Sequence, residues 1–457
     1  MMTPKEQTAM LLKNSEIMID EIKGEGTQSE VCAQHSVDLS VVYEGNDFSV
    51  SKSNTTSSYG IRAIVDGKLG FMTSNSSSDQ MLREIALETR KLAMLSVSSE
   101  HHQIATAMEK HGYSENYDPS TEMLLPSDLY NMLQLMVDEV HKEKNISLDR
   151  AEISCSRQYF TLTNSNGFSQ QAAASDFSWF AMGMGKTKNE VTSFDYDGGT
   201  VRDRSALENE IIQTMERFRQ YVGSSLGPRQ AKDYKGAILL HPAAVMSILG
   251  QTISFNANGK NHLDGISAWN EQMGQQVASE TLLVAEDPLD ENRPDGWSPF
   301  DREGVTTSRH QIIDAGHLNF AAHNCFSAHQ AGIQPTGNAA GGATGLPQIG
   351  FSNLKISGVE GKALSEELLY QKLGTGLVLK RFSGSCDPIS GQFSGVAKNS
   401  WWVENGKRSH AVHETMVSGN AFDVLKQILA IGSQLHVNLG GSQAPYILID
   451  GVSVTAG

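Results

Sequence analysis

Cysteine is scarce in this chain. The 457 residues hold four, Cys32, Cys155, Cys325 and Cys386, far apart and never as C-x-x-C. That spacing excludes a disulfide scaffold and a zinc ribbon, and it reads as the reduced thiols of a cytosolic protein. Long apolar runs are lacking as well: no stretch approaches the ~20 residues a membrane span needs. The first segment is broken by Lys5, Glu6, Lys13, Glu16, Asp20 and Glu21, so no secretory leader is expected there. Positive charge is in deficit, with 36 Lys plus Arg against 52 Asp plus Glu and a formal charge of −16. Such a surface repels a phosphate backbone, so neither nucleic acid nor a membrane is expected as a partner. Solenoid repeats, heptads and low-complexity tracts are absent. Glycine is abundant, at 42 residues, which predicts many tight turns and short strands.

Thr3-Pro4-Lys5-Glu6 opens a helix with a capping box and Pro at the first position, running to about Lys23. Residues 37–45 alternate like a half-buried strand, and 59–71 read as a hairpin about Asp66-Gly67. Apolar spacing predicts helices over 79–95 and from Ser127 to about Val140, with a polar connection at 97–120. Strands follow near 150–164 and 168–184, turning at Asn166-Gly167. Ser205 and Glu208 form a second capping-box pair, for a helix to about Val222. Residues 223–230 (GSSLGPRQ) read as a linker. It divides the chain into 1–225, itself divisible at 1–100 and 120–225, and 231–457. Beyond it come a strand at 237–240 and a helix from Pro242 to about Ile253. After Gly304, short alternating runs predict antiparallel β-structure with one further helix, near 420–431. The fold class is α+β: an N-terminal α/β region of short antiparallel strands and helices, then a larger, mainly antiparallel β domain.

Several motifs fail on context. Gly223-Ser224-Ser225-Leu226-Gly227 matches G-x-S-x-G, but a helix precedes it and Pro228 follows, where a nucleophile elbow needs strand then helix. Gly185-Lys186-Thr187 lacks the earlier glycine of a phosphate loop, since position 180 is Phe180. His413-Glu414 lacks its second histidine, with Val417 in that place, and His410 and His413 would face opposite sides of a strand. The richest polar group is His310, His317, His323, Cys325 and His329. Imidazole and thiolate suit zinc. His323 and Cys325 would share a strand face and His317 could join them across a hairpin, but the spacing fits no closed four-ligand pattern.

A set of short segments in order is more telling. Residues 59–71 (YGIRAIVDGKLGF), 299–305 (PFDREGV), 334–339 (QPTGNA), 374–377, 390–394, 402–406, 418–420 and 445–451 (PYILIDG) resemble the TldD/PmbA family, whose PmbA members are also called TldE. One departure is Pro335 in place of a serine. The resemblance implies a two-subunit peptidase for flexible peptides, with microcin maturation and the label "modulator of DNA gyrase" attached to the family. Its TldD-type subunit carries H-E-x-x-x-H on a helix. The two histidines and a later cysteine hold zinc, and the glutamate acts as general base. Here that helix begins His241-Pro242-Ala243-Ala244-Val245-Met246. His241 keeps the first position, Pro242 replaces the base and Met246 the second histidine, and 431–446 contains no cysteine.

The resemblance therefore implies a PmbA/TldE-like subunit with no catalytic residues or metal of its own. Zinc is expected in a TldD-like partner, joined as a heterodimer, with a homodimer as the alternative. The location expected is cytoplasmic. A peptide substrate could add as a strand to a sheet edge. The Gly-rich loop supplies candidate cleft residues Thr336, Gly337, Asn338 and Gly342, followed by Ser352 and Asn353; the opposing reading is that these glycines only serve turns. Two other classes stay open: an independent metal-dependent hydrolase built on His310–His329, and a protein-binding regulator without catalysis.

Overall fold

The computed structural model describes residues 2–106, 112–413 and 415–456. The chain opens with helix α1 (Pro4–Glu21), whose Thr3–Glu6 capping box is formed. Three strands follow, β1 (Thr27–Glu44), β2 (Asp47–Val65) and β3 (Lys68–Ser74), then α2 (Asp79–Leu95). Asp66 and Gly67 take positive φ, at 51° and 73°, as a two-residue hairpin turn requires. The segment expected as a polar connection contains β4 (Gly112–Asn116). Then come α3 (Pro126–His141), β5 (Ile146–Asn164), β6 (Ser169–Gly185), β7 (Asp195–Val201) and α4 (Arg204–Gly223). α4 departs from the expected capping box: Asp203 is its N-cap, and no side chain caps it.

These strands form one sheet in the order β3-β2-β1-β5-β6-β4, with β7 also beside β6. The strands are long rather than short, 18 residues in β1 and 19 in β5. Alternation sustained over such lengths gives the sheet two different faces. Val41, Tyr43, Ile153, Phe177 and Trp179 pack against α3 and α4, and Val31, Tyr59 and Ile61 belong to a cluster shared with α1 and α2. Ser36, Asp38, Ser156 and Gln158 line the opposite, polar face.

The second half begins with β8 (Tyr234–Leu240). A continuous helical segment follows: α5 (Pro242–Val245), a π turn (Met246–Gly250) and α6 (Gln251–Asn256), then α7 (Gly259–Leu263). The strands after it are β9 (Leu282–Glu286), β10 (His310–Asp314), β11 (His317–Leu318), β12 (Ala339–Ala340), β13 (Gln348–Ile349) and β14 (Lys355–Gly358). The remainder are β15 (Gly376–Leu379), β16 (Arg381–Cys386), β17 (Gln392–Lys398), β18 (Trp401–Glu404), β19 (Lys407–Ala411) and β20 (Thr415–Asn420), and finally β21 (Ile428–Ile431), β22 (His436–Val437), β23 (Gln443–Ala444) and β24 (Ile447–Thr455).

A nine-stranded sheet runs β16-β17-β20-β24-β8-β15-β18-β19, with β21 beside β24, and a six-stranded sheet runs β11-β10-β9-β14-β23-β22. Most pairs are antiparallel, as expected, but β15 pairs β8 in parallel. The main core draws Ile238 and Leu240 from one sheet, Leu282, Val284 and Ile356 from the other, and Val245, Ile248, Leu249 and Ile253 from the helical segment after β8. Two helices beyond Gly304 depart from the β expectation. α8 (Cys325–Ala331) is started by the Asn324 side chain accepting from Ser327 N and stopped by left-handed Gly332. α9 (Glu366–Leu373) is started by Ser365. The expected helix at 420–431 is only α10 (Ala421–Lys426), after which the chain enters β21.

The two halves are joined by a buried ion network between Glu30 and residues of the segments 59–71 and 299–305. Arg62 of β2 donates to Glu30 and Glu303, both at 2.8 Å, and Arg302 donates to Glu30 at 2.8 Å. Glu303 also accepts from the Cys325 N–H at 2.6 Å. Asp301 accepts backbone N–H bonds from Glu303, Val305 and Ala339. Charges removed from water this completely persist only when each is paired and hydrogen-bonded.

Candidate functional site: a cleft at the end of β8

Strand register gathers the site. β8 and β15 run parallel with Leu240 beside Leu379, so the next residues, His241 and Lys380, emerge together. β24 enters antiparallel with Ile447 opposite Leu240, which brings Tyr446 to the same end. α4 lays Arg217 and Tyr221 over them, one helical turn apart. The opposite wall is β7 with Tyr196, Gly198 and Thr200, faced by 434–439. Together they enclose a cleft of about 440 Å³.

His241 caps the helix that follows. Its Nδ1 accepts from Ala243 N at 3.2 Å, and Pro242 takes the first helical position. The proton of the neutral ring therefore sits on Nε2, 3.0 Å from the Tyr221 hydroxyl, which in turn lies 3.4 Å from Tyr446 Oη. Burial, reinforced by Lys380, holds the His241 pKa well below the ordinary histidine value. The Lys380 ammonium pairs with Asp195 and stands 4.3 Å from the Tyr221 ring centre, and burial lowers its pKa. Arg217 grips Asp197 through two bonds, of 2.7 and 2.8 Å. His436 lies near His241, ring centres 6.5 Å apart, and its Nε2 is buried without a partner among the described residues.

These residues do not fit zinc. Both His241 nitrogens are engaged, Pro242 has no donor, and a thioether at Met246 suits soft metals rather than a hydrolytic zinc. Among the described residues no three His, Cys, Asp or Glu side chains group as a metal would need. Arg217, Lys380, Asp195, Asp197 and Tyr221 went unnoticed in the sequence. Only the i, i+4 pair on α4 carried any local signal.

The His310–His329 residues are scattered instead of converging. His310 bonds Glu286 and Ser308 through its two nitrogens and stacks on Phe320 at 4.0 Å. His317 stands exposed at the β10–β11 turn. His323 bonds Ser327 and covers Gly259. Cys325 does not share a strand with His323; it opens α8. Burial and Glu303 push its thiol up, away from the thiolate a metal binds. His329 packs beside His101. Glu414 lies outside the described residues.

The six candidate residues of the Gly-rich loop and after it are engaged with their surroundings. Thr336 and Asn338 bond each other, and Asn338 bonds Glu286 at 2.6 Å. Gly337 and Gly342 lie against Thr306 and Gln34 so closely that a Cβ would collide. The Ser352 N–H donates to Glu286, and Asn353 bonds the carbonyls of Asp287 and Arg293. None of these six lines the cleft.

Two edge strands border the cleft. Among the described residues β7 pairs only with β6, and β22 is the last strand of its sheet. Gly198 and Gly199 are required there: a Cβ on Gly198 would sit 2.3 Å from Trp179 O and 2.9 Å from Leu439, and one on Gly199 would strike the Trp179 ring. Leu439 and the Trp179 ring close over these two glycines, and the Tyr196 and Gly198 N–H groups donate to the Asp195 and Asp197 carboxylates at 3.1 and 2.9 Å.

Comparison with known proteins supplies the context. A family model described as PmbA/TldA metallopeptidase C-terminal domain matches residues 233–456, and one described as PmbA/TldA metallopeptidase domain 1 matches 29–93. An uncharacterized protein of Methanocaldococcus jannaschii is 26% identical over 413 residues, 89% of this chain and 92% of that protein. The metalloprotease PmbA of Escherichia coli O157:H7 is 28% identical over 216 residues, 47% of this chain and 44% of that protein. The crystal structure of TldE from Thermococcus kodakarensis shares the fold, with TM-score 0.83 at 20% identity, covering 99% of this chain and 100% of that one.

Proposed function

This chain belongs to the PmbA/TldD metallopeptidase family, and from that membership we propose that it acts as a PmbA/TldE-type subunit that binds peptide without a catalytic metal of its own. A TldD-like partner supplies the zinc, and the pair acts on flexible peptides in the cytoplasm. The observation that carries the reading is the cleft itself. The position a zinc ligand would occupy is a helix cap with both nitrogens engaged, and beside it runs β7, an edge strand that pairs with β6 alone among the described strands. An extended peptide laid on that edge gains main-chain hydrogen bonds that need no particular side chains. That suits unfolded substrates of varied sequence. Among the described residues no helix is long and apolar enough to cross a membrane.

Two measurements test it. The purified chain, dialysed without chelator, should hold less than about 0.1 zinc; near one tightly held metal would overturn the metal-free assignment, since such a site needs about three protein ligands. A flexible peptide carrying a photoreactive group should label 195–201 and 434–439. Labelling confined to 336–353 would return the substrate to the Gly-rich loop.

A further inference from the structure

The charge of the cleft runs against that of the molecule. Arg217 and Lys380 are each neutralised by an aspartate. Arg381 and Arg293 also line the cleft, with Glu210 as an opposing acid on the α4 wall. Among the described residues Arg381 has no carboxylate partner; its guanidinium lies 5.4 Å from the Tyr196 ring centre. Arg293 lies against the Gln443 side-chain amide and near the Asp295 carboxylate, with no ion pair among the described residues. Trp179 is 4% exposed, yet its indole N–H finds no acceptor among the described residues. A buried donor without a partner costs free energy that an acceptor-bearing ligand recovers. Cations and an orphan donor around one cleft select an anion, and the planar guanidinium fork matches a carboxylate.

We propose that this cleft receives the C-terminal carboxylate of the bound peptide, held by Arg381 and Arg293, with Trp179 N–H supplied with an acceptor. The inference rests on the peptide-cleft reading and adds direction to it: the chain lying on β7 ends here, so free C-termini are preferred over internal segments.

The test uses an eight-residue flexible peptide without ionisable side chains, fluorescein-labelled at its N-terminus, as free acid and as C-terminal amide. Each is titrated with the full chain by fluorescence anisotropy. The amide should bind about tenfold more weakly or worse. Arg381→Gln should bind acid and amide alike while melting at the wild-type temperature; should it fail to fold, the acid–amide comparison on wild type decides alone. Equal binding of both forms by the wild type overturns the carboxylate site and leaves the peptide cleft standing. No binding of either form overturns both. An amidated peptide ending in Glu that binds as tightly as the free acid overturns the terminal assignment, because any carboxylate would then serve.

Discussion

His241 is the residue on which the functional reading turns. Its neighbours decide its chemistry: a backbone N–H on Nδ1, a phenol on Nε2, and enough burial with Lys380 nearby to keep the ring neutral. Tyr221→Phe removes the acceptor and leaves Nε2–H buried without one. The expected loss is about 1–3 kcal/mol of unfolding free energy, measured by urea denaturation. A variant as stable as wild type would mean that the Tyr221 hydroxyl contributes nothing to holding His241. The histidine and its neighbours Pro242 and Met246 were legible by position in the sequence. Their partners were not, because Tyr221, Lys380 and Tyr446 come from three other elements.

At the scale of elements, periodicity served well where it was long. α2 runs over the residues its apolar spacing predicts, and the Asp66-Gly67 hairpin is formed. It failed for short helices such as α8 and α9, which are specified by a cap at each end and bury only a few side chains each. The loop over β12 and β13 lies so close to β2 that a Cβ on Gly60 would sit 1.8 Å from Ala343 O. Gly60→Ala forces that loop off the sheet and should cost about 2–3 kcal/mol, the scale of overpacking a tight contact. Thermal denaturation checks it. An unchanged melting temperature would show that the loop is free to shift and restore it as a candidate for substrate contact.

Across the whole molecule, the network of Glu30, Arg62, Arg302 and Glu303 ties the seven-stranded sheet to the second half. Removing one charge strands its partner away from water, which costs about 3–5 kcal/mol. Glu303→Gln is therefore expected to weaken both halves together, read as a joint fall in hydrogen-exchange protection of β2 and of α8. Loss confined to one half would show that the network does not couple them. The same network gives the short shared segments their physical sense: the Arg of GIR and the Glu of DREGV, far apart in the chain, form one ion pair.

What the amino-acid order determined by itself is local: helix caps, hairpin turns, the acidic surface, the family segments and the sequence His241-Pro242 to Met246 after β8. Each depends on neighbours a few residues away or on the identity of a side chain at a known position. The cleft was decided only by tertiary structure. A parallel pairing sets His241 beside Lys380, an antiparallel one adds Tyr446, and a helix from the other half covers all three. Register between strands distant in sequence depends on how whole faces bury against each other, and no local window contains that information.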